Sequence, residues 1–198
     1  MKDIVTIAVV SCAPVRHDAE AGRVSGFIRA AAKRGSDIVV FPSLGSAAAE
    51  NAGSAAAACG VIAVCGISLG HTMLWTPDGC AVQAHSGWGT VDTAWGKIAF
   101  TDGSRLGREL PSGVRLAIAA CDGQAEAEGD IKRLAEQGVF TVWANPSGSI
   151  ADGWHTGGSG VLGPDGGQLI PCREGADTPV MQMFTIDLSE AERGSCIE

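Results

Sequence analysis

The chain contains no tyrosine, so no phenol is available as a general acid. Charge is sparse, at 18% of residues, and what there is leans acidic, with a formal net charge of −8. Such a balance lacks the basic footprint of a nucleic-acid binder. Lysines and arginines are scattered, and no basic amphipathic run suggests a membrane surface. No apolar stretch reaches the length of a spanning helix. The first ten residues carry Lys2 and Asp3 before a short apolar run with no small-residue cleavage site, which fits a buried strand better than a signal peptide. A cytoplasmic location is expected. The seven cysteines are odd in number and form no CxxC pair. Cys12, Cys59, Cys65, Cys80 and Cys121 lie in or beside apolar runs, where thiols behave as small hydrophobes. Neither a disulfide framework nor a zinc site is expected, and no cofactor motif is present. The glycine-rich GWHTGGSG run lacks the GKS/T ending of a phosphate loop.

What is present is enough to build a core. Hydrophobic residues make up 45% of the 198, which excludes a disordered chain. No repeat or linker divides it, so one domain over 1–198 is expected. Residues 4–10 (IVTIAVV) form a continuous β-branched run, as in a strand covered on both faces. Residues 19–33 have helical spacing, with Asp18 as N-cap and Gly35 as C-cap. Residues 37–41 (DIVVF) read as a second strand ended by Pro42, giving a β-α-β unit with parallel strands. An alanine-rich helix over 47–58 is weakened by Gly53. Strands follow at 61–67, 73–75 and 80–84, with a Pro77-Asp78-Gly79 turn between the last two. Residues 85–112 are glycine-rich and yield only a short strand at 97–100. A strand at 114–120, a helix at 126–137 and a strand at 139–144 make a second β-α-β unit. A hairpin around Pro164-Asp165-Gly166 and a strand at 180–187 close the chain.

Four segments in order carry a resemblance: the first unit with DIVVFPSL, the TPDGCAVQA hairpin, VRLAIAACDG through GVFTVWANPS, and GGSGVLGPDGGQLI with MQMFTIDLSEAER. Together they resemble the nitrilase (carbon–nitrogen hydrolase) superfamily, in a shortened and degenerate form. The resemblance implies an α/β fold, an α-β-β-α sandwich of two packed mixed sheets with helices on the outer faces. It also implies a homodimer, a small amide or nitrile as ligand, and a Cys–Glu–Lys triad. In that triad the thiol attacks the carbon, the glutamate moves the proton, and the lysine stabilises the oxyanion.

Carried over by position, the triad is largely lost. The glutamate after Phe-Pro is Ser43, whose hydroxyl is no base at neutral pH. Glu50, seven residues on, is a nearby carboxylate on the next helix. The lysine position after the Asp-Gly hairpin falls on Ser86-Gly87; Lys97 is the only lysine between Lys33 and Lys132. The Cys-x-Asp pattern read from Asp122 puts Ala120 at the nucleophile position, whereas the distance to Gly138 puts Cys121 there. A one-residue slip reverses the face of a strand residue, so both remain open. His155 is a further candidate base for Cys121, and His71 and His85 flank the shortened region. The expected role is therefore non-catalytic binding or assembly, a pseudoenzyme. The alternative is a small-amide hydrolase with a rearranged thiol site built on Cys121, Lys97, Glu50 or His155.

Overall fold

The computed structural model describes residues 1–13, 18–67, 71–85, 87–103, 109–121, 127–150, 153–156, 158–170 and 179–194. The β-branched N-terminal run becomes β1 (Ile4–Ser11), and the first helix is α1 (Asp18–Lys33). Gly35 turns the chain with a φ of 85°, the left-handed conformation that glycine adopts without a Cβ penalty. β2 (Ile38–Leu44) lies parallel to β1, as the β-α-β reading expects. It does not end at Pro42. The strand runs on to Leu44 through a register shift between Val40 and Ser43.

α2 (Ser46–Cys59) follows, then β3 (Ile62–Ile67), β4 (His71–Trp75) and β5 (Ala81–His85). Gly53 does not interrupt α2. A Cβ there would stand 2.4 Å from the Trp75 ring, so the glycine is where that indole packs against the helix. The stretch that is hard to read in sequence holds β6 (Gly89–Thr93) and β7 (Gly96–Asp102), the latter longer than the 97–100 expected. β8 (Val114–Ala120), α3 (Ala127–Ala135) and β9 (Phe140–Ala144) form the second β-α-β unit. A two-stranded ribbon of β10 (Ser147–Ile150) and β11 (Gly153–Thr156), unannounced by the sequence pattern, precedes β12 (Gly160–Leu162) and β13 (Gln168–Ile170). β14 (Val180–Asp187) and α4 (Ser189–Gly194) complete the order.

Two six-stranded mixed sheets result, ordered β14-β1-β2-β3-β4-β5 and β13-β12-β9-β8-β7-β6. In each, three central strands are parallel: β1, β2 and β3 in the first, β7, β8 and β9 in the second. Alternation along the strands sorts three apolar layers. Val5, Ile7, Val9, Ile38, Val40, Ile62 and Val64 of the first sheet meet Ile98, Phe100, Leu116, Ile118, Phe140 and Val142 of the second. The opposite face of the first sheet, with Ala8, Val39, Phe41, Ala63 and Cys65, packs under α1 and α2. The opposite face of the second, with Ala117, Ala119 and Trp143, packs under α3 through Ile131, Leu134 and Ala135. This is the α-β-β-α sandwich that the four segments imply.

No helix among the described residues is long and apolar enough to cross a membrane.

Candidate functional site

Parallel strands put all their C-terminal ends on one edge of a sheet, where ligands of α/β proteins gather. Here both sheets present those ends together, and Pro42 decides how they meet. Proline has no N–H for the ladder, so the β2–β3 pairing breaks there and resumes with Ser43 opposite Gly66. Beyond this bulge the Ser43 N–H leaves its own sheet and donates to the Cys121 carbonyl of the other, at 2.9 Å. A second crossing bond runs from the Ser147 N–H to the Cys12 carbonyl, at 3.1 Å. Facing sheets usually stand about 10 Å apart. At this end the backbones are instead stitched together.

Gly66 makes that approach feasible. A Cβ on it would lie 3.0 Å from the Ala120 carbonyl oxygen and 3.1 Å from Ser43 Cα. Ser43, Gly66 and Ala120 therefore converge between the sheets. Ala120 follows Leu116 and Ile118 in the alternation, and both of those belong to the inter-sheet core. Cys121 follows Ala117 and Ala119 and shares their cluster beneath α3. The Cys121 side chain is buried on that side, where a Cβ on Gly103 would come within 3.0 Å of its Sγ. Its N–H continues the ladder to the Ala144 carbonyl at 2.8 Å. The inter-sheet face thus belongs to Ala120 and the helix-side face to Cys121.

The remaining sequence candidates scatter. Lys97, the second residue of β7, is opposite Val114, while Asp102, at the far end, is opposite Ala120. Five residues at about 3.3 Å each separate Lys97 from the Ala120 rung by roughly 16 Å, and its Nζ donates to the Ser112 carbonyl at 3.1 Å. Glu50 is exposed on α2, away from the buried alanines that face the sheet. Gly87 accepts a hydrogen bond from Thr101 Oγ1 at 3.1 Å, beside the end of β7. The His155 backbone pairs with Gly148 in the β10–β11 ribbon; its side chain, like Asp122 and Ser86, lies outside the described residues. His71 and His85 face each other across β4 and β5.

Two features escaped the sequence reading. The first is Asp102, on the rung beside Ala120 and in the inter-sheet alternation set by Ile98 and Phe100. Extending the expected 97–100 strand forward by two residues, alongside β8, would have found it. The second is a polar cluster where β1, β9 and β12 come together. Ser11 Oγ donates to Ser159 Oγ at 2.6 Å, and the Asn145 N–H donates to the same oxygen at 2.8 Å. Nearby in the chain, Asn145 Oδ1 and Ser147 Oγ are buried with no hydrogen-bond partner among the described residues. Serines in a Gly-rich loop give no periodic signal, so only the fold reveals them. Among the described residues no group of three His, Cys, Asp or Glu side chains gathers to hold a metal ion.

The architecture matches solved structures along nearly its whole length. A carbon–nitrogen hydrolase superfamily protein from Xanthomonas campestris, with an arsenic adduct in its active site, is 16% identical. It superposes with a TM-score of 0.75 over 98% of this chain and 94% of its own. A carbon–nitrogen hydrolase from Helicobacter pylori G27 gives 0.77 at 14% identity, over 97% and 92%. An amidase from Nesterenkonia sp. gives 0.75 at 14% identity, over 97% and 94%. The fold is that of the carbon–nitrogen hydrolases. No protein-family sequence model matches the chain, and no curated protein does. At these identities the likeness lies in the backbone, and the chemistry rests on the side chains above.

Proposed function

We propose that this protein keeps the carbon–nitrogen hydrolase fold without its hydrolytic chemistry, and serves in binding or assembly. The observation that carries the reading is the set of side chains at the stitched end of the sandwich: Ser43, Ala120 and Asp102. Amide hydrolysis by a thiol route needs a nucleophile, a base and a cation or dipole for the oxyanion. A methyl group supplies no nucleophile. A serine hydroxyl is no base at neutral pH. A carboxylate supplies no positive charge to a developing oxyanion. Loss of the base alone removes roughly 10²- to 10⁴-fold in rate, and members of such a unit fail together.

Of the rearranged thiol site, Cys121 is buried beneath α3, Glu50 is exposed on α2, Lys97 lies near the start of β7 at the opposite end, and the His155 side chain lies outside the described residues. A binding role draws on Asn145 Oδ1 and Ser147 Oγ, buried polar atoms without hydrogen-bond partners among the described residues. A small amide, with both donors and acceptors, would satisfy them. The resemblance adds a homodimer as the assembled form.

The test is hydrolysis of short aliphatic amides and nitriles, followed as ammonia release. The expected result is no turnover above buffer from either the natural chain or Cys121→Ala. Turnover by the natural chain that disappears in Cys121→Ala would overturn the proposal.

A further inference from the structure

His71 and His85 are direct partners on neighbouring antiparallel strands at the free edge of the first sheet. Their rings meet edge to face, with centroids 4.6 Å apart and planes inclined at 74°. By strand alternation they share the outer face with Met73, which packs against the α1–α2 cluster; the adjacent Thr72–Ala84 rung faces the core. The pair therefore stands apart from the stitched site. His71 is half-buried, and its Nδ1 is fully covered with no hydrogen-bond partner. A buried imidazole nitrogen is ordinarily paired with a donor, an acceptor or a metal. Among the described residues its neighbour is a second imidazole, on an exposed residue of an edge strand.

We propose that His71 and His85 form a two-histidine site for a divalent first-row transition ion of the imidazole-preferring class. Imidazole suits nickel, copper and zinc, whereas magnesium and calcium take oxygen ligands. Two nitrogens on one such ion, each about 2.0–2.1 Å away, lie roughly 3.3 Å apart. Rings with centroids at 4.6 Å reach that span with a side-chain rotation of the exposed His85. Among the described residues no third His, Cys, Asp or Glu joins the pair, so water completes the coordination and affinity is modest. The bound ion ties edge strand β5 to β4 and gives the orphaned nitrogen a partner.

Nickel is the better probe, because the cysteines compete for softer ions. Calorimetric titration of the whole chain with Ni²⁺ at neutral pH should show one equivalent binding in the micromolar range. His71→Ala and His85→Ala should each weaken it at least tenfold. Because ligand that binds only the folded state raises the melting temperature, Ni²⁺ should raise that of the natural chain and not that of His85→Ala. His85 is exposed, so its variant keeps the fold, which circular dichroism verifies. Ni²⁺ binding that persists unchanged in the double variant, or no binding at millimolar Ni²⁺, would overturn the proposal.

Discussion

Gly66 and Cys121 hold most of what single residues decide here. A methyl group at Gly66 would press on two backbone segments, one from each sheet, and backbone cannot yield as a flexible side chain can. Gly66→Ala should cost about 1–3 kcal/mol, as overpacking does, read as a lower urea midpoint with unchanged slope. An unchanged midpoint would mean that the two sheets are free to part at Ser43. The cysteines offer a second reading. Burial pushes the Cys65 thiol far above its ordinary value of 9.0, and Cys12 and Cys121 are also buried. Cys80 is exposed. With an alkylating reagent at pH 8, Cys80 should label in the native chain, while Cys12, Cys65 and Cys121 should wait for unfolding. Fast native labelling of Cys121 would point to an activated thiol. The sequence left Ala120 and Cys121 undecided because a run of small residues, Ala-Ile-Ala-Ala-Cys, carries no polar residue to mark the solvent or ligand face. The packing of Leu116 and Ile118 between the sheets separates them.

At the scale of elements, long β-branched runs were legible and interrupted ones were not. β1, β8 and β14 fall almost where the pattern of apolar residues puts them. β2 outruns its proline because a bulge absorbs the missing donor, and bulges leave no period in sequence. β7 outruns its apolar centre because Thr101 and Asp102 pair with β8 although neither reads as core. That extension is what brings Asp102 to the site and leaves Lys97 at the far end. On the proposed non-catalytic reading, restoring one element does not restore chemistry. Ser43→Glu should remain without amidase activity in the ammonia assay, since Ala120 supplies no thiol and Asp102 no cation. Activity in that variant would show that nucleophile and oxyanion partner were present all along. The N-terminal end of β8 has a different task. Arg115 is buried and bonds to Asp3 at 2.8 Å and to the Trp95 carbonyl at 3.3 Å. Asp3 is half exposed, so Asp3→Ala should cost only about 1–2 kcal/mol, the range of a charge-assisted hydrogen bond open to solvent, measured by thermal or chemical unfolding.

For the whole molecule, the ordered set of segments fixed the architecture better than any one motif did. Fold follows from two β-α-β units and their apolar faces, which sequence displays, whereas the site depends on which strand ends meet, which it does not. The assembly of the sandwich also sets an alkaline limit. Cys65 is buried as the neutral thiol, so its folded-state value lies above the unfolded one. That contribution is fully present below about pH 9 and declines as the pH rises beyond it, because the unfolded chain then loses a proton the folded one keeps. Stability in urea should fall between pH 9 and 10.5, and fall less in Cys65→Ala; equal slopes would remove Cys65 as the cause. A homodimer, the assembled form proposed above, should appear as a two-chain mass in light scattering. The most direct test of the central claim remains catalytic: ammonia released from short amides and nitriles by the natural chain and by Cys121→Ala, at matched concentration. Neither should exceed the buffer rate. Turnover in the natural chain, abolished by that one substitution, would contradict it.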